Sequence, residues 1–172
     1  MSEFSIRLAR SADAEAFPAV ERAAAVLFAD DPDCAEIDFD AVRSAADYRR
    51  LIARGHCLVA ESGDRIVGCL ATQPCGRELH ICEMDVHPDC QGQGIGAVML
   101  RACLIDAGNA GFRAVTLTTF RDLPWNGPFY TRIGFVEVED LAAHPRLAEE
   151  IAAEIEAGLP AERRIAMIHF LG

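Results

Sequence analysis

The stretch that decides the fold runs from residue 84 to residue 96 and reads Met84-Asp85-Val86-His87-Pro88-Asp89-Cys90-Gln91-Gly92-Gln93-Gly94-Ile95-Gly96. We interpret it as the end of a strand, a tight turn with few side chains, and the start of a helix. Small residues in such a turn let a ligand approach the backbone N–H groups, and the N-terminus of a helix attracts anions. The stretch therefore predicts a site for a phosphate or diphosphate group.

The strand before this turn shifts its apolar pattern by one residue. Leu79 and Ile81 follow one phase of the alternation, whereas Met84 and Val86 follow the other. An inserted bulge residue produces such a shift, and bulges are frequent beside active sites. We therefore expect a bulged strand over residues 78–86.

The remaining segments alternate between strand and helix patterns. After the turn, apolar residues with helical spacing predict an amphipathic helix to about residue 110. Strands are predicted at residues 5–8, 56–61, 65–72, 115–119, 135–138 and 164–170, and helices at 11–28, 39–54 and 145–156, with a short helix at Phe129 and Tyr130 that ends at Gly134. Because no repeat or linker interrupts the chain, one domain is expected over residues 1–172.

Composition and charge restrict the class of protein. The chain has 172 residues, of which 51% are hydrophobic and 25% charged, as is typical of one soluble α/β domain. Asp and Glu total 27 against 16 Lys and Arg, which gives a formal charge of −11. This charge disfavours nucleic acid and anionic membranes as partners and favours cationic acceptors. A phosphate site in such a chain should depend on backbone amides and a few local arginines.

The cysteines and histidines predict no disulfide framework and no metal site. The seven cysteines are odd in number, form no C-x-x-C pair and lie mostly in apolar runs. His87, His144 and His169 show no metal-ligand spacing. We therefore expect a reduced, cytoplasmic protein, since the N-terminus has no secretory pattern and no apolar run reaches the length of about 18 residues that a membrane span needs.

Two motifs follow one another at a suitable separation: Gln91-x-x-Gly94-x-Gly96 after a strand that ends in Val-x-Pro, and then Tyr130-x-x-x-Gly134-Phe135. Together they resemble the GNAT superfamily of acyl-CoA-dependent N-acyltransferases. The resemblance covers most of the chain. It implies an α/β fold of the α+β type, with a mixed, mostly antiparallel central sheet of about seven strands flanked by helices and a bulged fourth strand splayed from the fifth.

The resemblance implies acetyl-CoA as co-substrate and no metal. The backbone N–H groups expected to bind its pyrophosphate belong to Gln91, Gly92, Gln93, Gly94, Ile95 and Gly96. The pantetheine arm would lie between the fourth and fifth strands, bonded to the main chain around Met84, Asp85 and Val86. Many members carry an asparagine and a small residue seven and four places before the tyrosine, where this chain has Leu123 and Asn126. Asn126 is thus a candidate cofactor contact despite this departure from the family pattern.

Acylation of an amine requires a group that accepts the ammonium proton. Glu83, at the shift in the strand, is the first candidate, acting directly or through an ordered water. His80 is a rival, because several family members carry their base near that place and imidazole titrates near neutrality. Asp85 is the third candidate. A structural hydrogen bond or ion pair is the alternative for Glu83, and an exposed strand position is the alternative for His80.

By resemblance, Tyr130 donates a proton or a hydrogen bond to the departing thiolate of coenzyme A. The alternative for Tyr130 is a core aromatic that packs against Phe129 and Phe135. Trp125 either lines the acceptor pocket or anchors the loop at residues 121–128 on the core. No nucleophilic cysteine is required, because the family transfers the acyl group directly.

The predicted function is transfer of an acetyl group from acetyl-CoA to a primary amine of a small molecule or peptide. A catalytically silent acyl-CoA sensor or partner-binding module is the alternative. A nicotinamide oxidoreductase is a third hypothesis, since Gly92-x-Gly94-x-x-Ala97 fits the relaxed dinucleotide fingerprint. Against it, residues 87–90 separate the strand from the glycines, and the preceding strands look antiparallel. A homodimer is a further possibility that the resemblance raises.

Overall fold

The computed structural model describes residues 3–172, which form one seven-stranded sheet and five α-helices. The strands are β1 (Ser5–Leu8), β2 (Leu58–Ser62), β3 (Arg65–Cys75), β4 (Glu78–Val86), β5 (Ala114–Phe120), β6 (Val136–Glu137) and β7 (Arg164–Phe170). The helices are α1 (Phe17–Ala24), α2 (Ala45–Ala53), α3 (Ile95–Asn109), α4 (Gly127–Ile133) and α5 (Pro145–Glu156). No helix within residues 3–172 is long and apolar enough to cross a membrane.

The strands lie in the order β1-β2-β3-β4-β5-β7-β6. All neighbouring pairs are antiparallel except β4 and β5, which are parallel. The parallel pair is possible because α3 connects the two strands and supplies the long crossover that such a pair requires. The predicted mixed, mostly antiparallel sheet flanked by helices is therefore confirmed.

The bulge in β4 and the divergence of β4 from β5 are also confirmed. Ala71 of β3 faces Glu83, whereas the next residue, Thr72, faces Ile81, so Cys82 is the inserted residue. Beside this bulge, β4 and β5 pair at only three positions, the last of which joins His80 to Thr116. Both strands continue beyond that pair without a common partner, which opens a gap in the middle of the sheet.

The two faces of the sheet carry separate hydrophobic cores. The first core lies under α3, where Met99, Leu100 and Cys103 pack with Leu79 and Ile81. The second core lies under α1 and α2 and contains Phe17, Val20, Tyr48, Val59 and Ala71. Because the bulge shifts the alternation, Met84 and Val86 stay on the α3 face while their neighbours in β4 turn to the other face.

The second predicted helix is shorter than expected. It was expected at residues 39–54 but begins at Ala45, because the Ser44 hydroxyl accepts the Asp47 N–H at 3.1 Å and caps the helix there. Phe39 instead packs on Phe28, with ring centroids 4.9 Å apart. Similarly, the predicted helix at 11–28 is α-helical only over Phe17–Ala24 and has 3₁₀ turns on both sides.

Candidate active site

A cavity of about 780 Å³ lies where β4 and β5 diverge. Its walls come from α1 and the segment after it, the end of β4, the glycine turn, the end of β5, and the loop that leads into α4. The cavity brings together most of the predicted site residues, which are Glu83, Met84, Asp85, Val86, Gln91, Gly92, Gly94, Ile95, Gly96, Asn126 and Tyr130. Gln93 and His80 are not among the residues that line it.

The glycine turn presents a row of free backbone donors to this cavity. Gly92 and Gly94 have positive φ angles of 75° and 81°, which glycine adopts without strain. Within the described residues, the N–H groups from Gly92 to Ala97 have no protein acceptor. Three of these groups, those of Ile95, Gly96 and Ala97, lie in the first turn of α3, and Gly94 caps the helix; the helix dipole adds a partial positive charge there. The turn can therefore bind an anion without a basic side chain.

Gln91 has a different position from the other predicted donors. Its backbone N–H donates to the Pro88 carbonyl at 3.3 Å, so the free donors begin only at Gly92. Its side-chain amide donates to the Val86 carbonyl at 3.0 Å. Gln91 thus holds the turn against the end of β4, and this contact occupies a main-chain oxygen that was expected to face the ligand.

Three carboxyl groups share the wall of the cavity that faces α1 and α2. Glu83 and Asp85 come from β4 and Glu21 from α1, and all three side chains are half-buried. Burial, followed by repulsion from Asp85 and Glu21, raises the pKa of Glu83 well above its usual range. Burial and then the charge of Glu21 raise the pKa of Asp85 to about 7. Near neutral pH this group is therefore poised to exchange protons.

Two further side chains surround these carboxyl groups. The Tyr48 hydroxyl of α2 donates to the Glu21 carboxylate at 2.5 Å, which fixes Glu21 toward β4. The Arg43 guanidinium donates to the carbonyl of Cys82, the bulge residue, at 3.4 Å. The positive charge of Arg43 lowers the pKa of Glu83 and so offsets part of the increase that burial and the neighbouring carboxyl groups cause. One oxygen of Asp85 is buried without a hydrogen-bond partner in the described residues.

His80 lies apart from this group. It is 5% exposed, and its Nδ1 is 3.0 Å from the Thr116 hydroxyl across the parallel pair of strands. Burial, together with the charges of Arg146 and Arg43, lowers the pKa of His80 to about 4, so the imidazole is neutral at physiological pH. It is neither an exposed strand residue nor part of the cavity wall.

Tyr130 reaches the cavity from α4. Its ring packs edge-on against Phe129 and Phe135, with centroid distances of 5.2 Å and 5.7 Å, and the residue is 8% exposed. Burial, and then the negative charges of Glu83 and Asp85, raise the pKa of Tyr130. The phenol is therefore protonated at neutral pH and available as a donor. Tyr130 thus combines both roles that the sequence left open, a packed aromatic and a cavity hydroxyl.

The loop before α4 is fixed to the end of β5. The Thr119 hydroxyl donates to the Asn126 side-chain oxygen at 2.6 Å, which holds Asn126 in the cavity wall. Trp125 also lines the cavity, is 39% exposed and packs edge-on against Phe28 at 6.2 Å. Trp125 therefore packs on Phe28 and also lines the cavity, and its contact with the acceptor stays a prediction.

Sequence reasoning missed several residues of the cavity wall, among them Glu21, Phe28, Phe39 and Arg43. They stand in the segment from α1 to α2, where the sequence predicts helices over residues 11–28 and 39–54 but marks no site residue. Nothing in their local pattern marks them, because their role depends on packing against β4 and β5. The residues expected on β4 and in the glycine turn were found because an alternation shift and a glycine motif mark them locally.

The structure does not match a dinucleotide-binding fold. Such a fold places the glycine turn after a strand of an extended parallel sheet and a free acidic residue after the next strand. Here β3 and β4 are antiparallel, and Asp122, the carboxylate that follows β5, accepts hydrogen bonds from Arg163 at 3.1 Å. The nicotinamide hypothesis therefore loses its structural basis.

Comparison with known proteins gives one family and many similar folds. Residues 53–137 match the model of the acetyltransferase (GNAT) domain. PaiA N-acetyltransferase from Thermoplasma acidophilum, solved with coenzyme A, has a TM-score of 0.74 and 15% identity over 98% of this chain and 99% of that one. A GNAT family acetyltransferase from Brucella melitensis, solved with acetyl-CoA, has a TM-score of 0.58 and 25% identity over 79% and 84%. The ribosomal-protein-S18-alanine N-acetyltransferase of Escherichia coli has a TM-score of 0.67 and 15% identity over 99% and 95%.

Proposed function

Because this chain belongs to the GNAT acetyltransferase family, we propose that it transfers the acetyl group of acetyl-CoA directly to a primary amine of a small molecule or a peptide. The observation that carries the proposal is that one cavity holds three groups with complementary chemistry. These groups are the free N–H donors of the glycine turn, the Tyr130 phenol and the Glu83 carboxyl. They can bind a diphosphate, protonate a leaving thiolate and accept a proton from an amine.

Acetyl-CoA is proposed to bind across the start of α3 and the gap between β4 and β5. The N–H groups of residues 92–97 would hold its pyrophosphate, which needs no net positive charge on the protein. The unpaired edges of β4, near Met84 and Asp85, would bond the amides of the pantetheine arm. The similar proteins from Thermoplasma acidophilum and Brucella melitensis were solved with coenzyme A and acetyl-CoA, which supports acetyl-CoA as the ligand.

The reaction then needs three proton transfers, after which Glu83 releases the proton it has taken to the solvent. The acceptor arrives as an ammonium ion, and Glu83 takes one of its protons, directly or through an ordered water. The neutral nitrogen attacks the thioester carbonyl, so that a carbon–nitrogen bond forms and the carbon–sulfur bond breaks. Tyr130 gives its proton to the sulfur, and the second amine proton restores the phenol. We propose Glu83 rather than His80 as the base, because Glu83 lines the cavity and His80 does not.

Calorimetry with coenzyme A, followed by an assay of amines with labelled acetyl-CoA, tests the proposal. We expect coenzyme A to bind and at least one amine to be acetylated. Failure to bind coenzyme A would refute the proposal. Binding without transfer to any amine would instead favour the catalytically silent acyl-CoA sensor.

Replacement of Tyr130 by phenylalanine distinguishes the enzyme from the sensor in a second way. In an enzyme, Tyr130→Phe removes the proton donor but keeps the packed ring, so kcat should fall by about 10-fold or more while the Kd of coenzyme A stays nearly constant. Steady-state kinetics and calorimetry measure the two quantities. An unchanged kcat would show that the phenol has no part in the reaction.

The protein is further proposed to work in the cytoplasm. All seven cysteines are free in the described part of the chain, as is typical of a reducing compartment. Formation of a homodimer stays a prediction, which the sedimentation behaviour of the purified protein would test.

A further inference from the structure

Part of the cavity wall is aromatic. Four rings, which we call the aromatic wall, line it: Phe28, Phe39, Phe120 and Trp125. Phe28 lies at their centre, stacked on Phe39 at 4.9 Å and tilted against Phe120 at 5.6 Å. Phe28 and Phe39 are only half-buried and Trp125 is exposed, so apolar surface remains for a ligand to cover.

The aromatic wall and the carboxyl groups lie at two ends of one element. Glu21 belongs to α1, and Phe28 ends the 3₁₀ turn that continues it, seven residues later. Glu21, Asp85 and Phe28 all line the same cavity. A single small molecule can therefore contact Glu21 or Asp85 with a charged end and the aromatic wall with an apolar end.

The arginines near the cavity leave little room for an acceptor that carries a carboxylate. Arg164 pairs with Glu154 at 2.9 Å, and Arg163 pairs with three aspartates. Arg43 donates to the Cys82 carbonyl and lies close to the charges of Glu21 and Glu83. Arg163 and Arg164 thus already have carboxylate partners, and the charge of Arg43 is offset by the nearby Glu83 and Glu21, whereas one Asp85 oxygen has no hydrogen-bond partner in the described residues.

From these observations we propose that the acceptor is a cationic primary amine with an aromatic or similarly bulky apolar group, bound between the carboxyl groups of Glu21 and Asp85 and the aromatic wall. The inference rests on the proposed acetyl transfer and names the class of its acceptor. A polyamine lacks the apolar group that the wall would bury, and an amino acid adds a carboxylate that the wall cannot satisfy.

The test compares phenethylamine, propylamine, spermidine and lysine at equal concentrations of acetyl-CoA. Burial of the phenyl group should make kcat/KM for phenethylamine about 10- to 100-fold higher than for propylamine. Spermidine and lysine should also be poorer acceptors than phenethylamine. Equal values for phenethylamine and propylamine, or a preference for spermidine or lysine, would overturn the inference.

Two variants locate the preference. Trp125→Ala should reduce the ratio of kcat/KM for phenethylamine over propylamine by about 5-fold or more, because it removes part of the wall from an exposed position. Val26→Ala is the matched control, since Val26 lies on the same 3₁₀ turn as Phe28, is 58% exposed and does not line the cavity. An unchanged ratio in Trp125→Ala would overturn the assignment of the wall.

The outcomes also separate this inference from the proposed function. If coenzyme A binds but no amine is acetylated, the proposed acetyl transfer fails and the acceptor class fails with it. If amines are acetylated without preference for an aromatic group, only the acceptor class fails.

Discussion

Glu83 has its place in the cavity because of one inserted residue. In an unbroken strand Glu83 would share a face with Leu79 and Ile81 and would point into the core beneath α3. The bulge at Cys82 reverses the alternation, so that Glu83 and Asp85 instead face Glu21. The bulge is therefore a condition for the chemistry proposed here.

The raised pKa of Glu83 predicts how the rate depends on pH. Below this pKa the carboxyl is protonated and cannot accept a proton, so kcat/KM of the wild-type protein should rise with pH through that range. Glu83→Gln should lower kcat/KM by about 100-fold or more and abolish this rise. A pH series of initial rates on both proteins measures the effect.

His80→Gln is the control for this experiment. His80 lies outside the cavity wall and has a pKa lowered to about 4, so its replacement should keep the rise in rate near neutral pH. If His80→Gln abolishes the rise and Glu83→Gln keeps it, the two roles are exchanged.

The sequence predicts those site residues that a local pattern, such as an alternation shift or a glycine motif, distinguishes from their neighbours. Glu83 was identified from the alternation shift, and Gly92 and Gly94 from a glycine motif; both glycines have positive φ angles. Glu21 could not be identified, because its role depends on Tyr48 and β4, which are distant in sequence. Arg43 was missed for the same reason.

Two glycines at the starts of helices are glycine for different reasons. A Cβ on Gly127, at the start of α4, would lie 2.6 Å from the Arg121 carbonyl oxygen, which is a clash with the backbone of the preceding loop. A Cβ on Gly96, in the first turn of α3, would meet Phe129 at 3.6 Å and Val86 at 3.8 Å, which are ordinary contacts. Packing thus requires glycine at Gly127 but not at Gly96.

This contrast predicts opposite effects of two alanine substitutions. Gly127→Ala should lower the free energy of unfolding by about 1–3 kcal/mol, because α4 must move away from the loop. Gly96→Ala should leave stability unchanged or slightly higher but weaken coenzyme A binding by about 10-fold, since its methyl group stands beside the free N–H donors. Urea unfolding and calorimetry measure both quantities. Each variant is the control for the other, and equal effects of the two on stability would contradict the argument.

The strands were easier to predict than the helices of the first third of the chain. The bounds predicted for β4 and β7 match the observed strands to the residue, although β7 is buried at four consecutive positions, residues 165–168. The prediction of a helix from residue 39 is wrong, because Phe39 packs on Phe28 and does not belong to the apolar face of a helix. A periodic pattern cannot distinguish a residue that faces a helix core from one that faces a cavity.

Arg163 joins parts of the chain that are far apart in sequence. Its guanidinium pairs with Asp31 at 2.7 Å, Asp33 at 3.0 Å and Asp122 at 3.1 Å. These contacts connect the segment after α1 and the loop after β5 to the start of β7. The two connected segments carry Phe28 and Trp125, so Arg163 helps to fix the spacing of the aromatic wall.

Arg163→Gln should therefore loosen the acceptor side of the cavity more than the coenzyme A side. We expect a lower midpoint of thermal unfolding and a severalfold higher KM for the amine, while the Kd of coenzyme A changes little. Calorimetry and steady-state kinetics give the three values. Arg49→Gln is the control, because Arg49 pairs with Glu15 on the surface, where the two side chains are 43% and 70% exposed. If both variants lowered the midpoint of thermal unfolding and raised the KM for the amine equally, Arg163 would have no special role.

The short pairing of β4 with β5 has a consequence for kinetics. It divides the sheet into two halves, β1–β4 and β5–β7–β6, which are joined at only three residue pairs. The proposed base, Glu83, belongs to the first half, and the proposed acid, Tyr130, follows β5 in the second. The distance between them is thus a property of the junction rather than of either half.

A molecule that lies in the gap and bonds to both halves would fix that distance before the amine arrives. We therefore expect a compulsory order of addition, with acetyl-CoA first. Product inhibition should show coenzyme A competitive with acetyl-CoA and not with the amine. In a random order neither substrate would have to bind first, and this difference between the two substrates would disappear. The order in which the substrates bind would then be a consequence of the point at which β4 and β5 stop pairing.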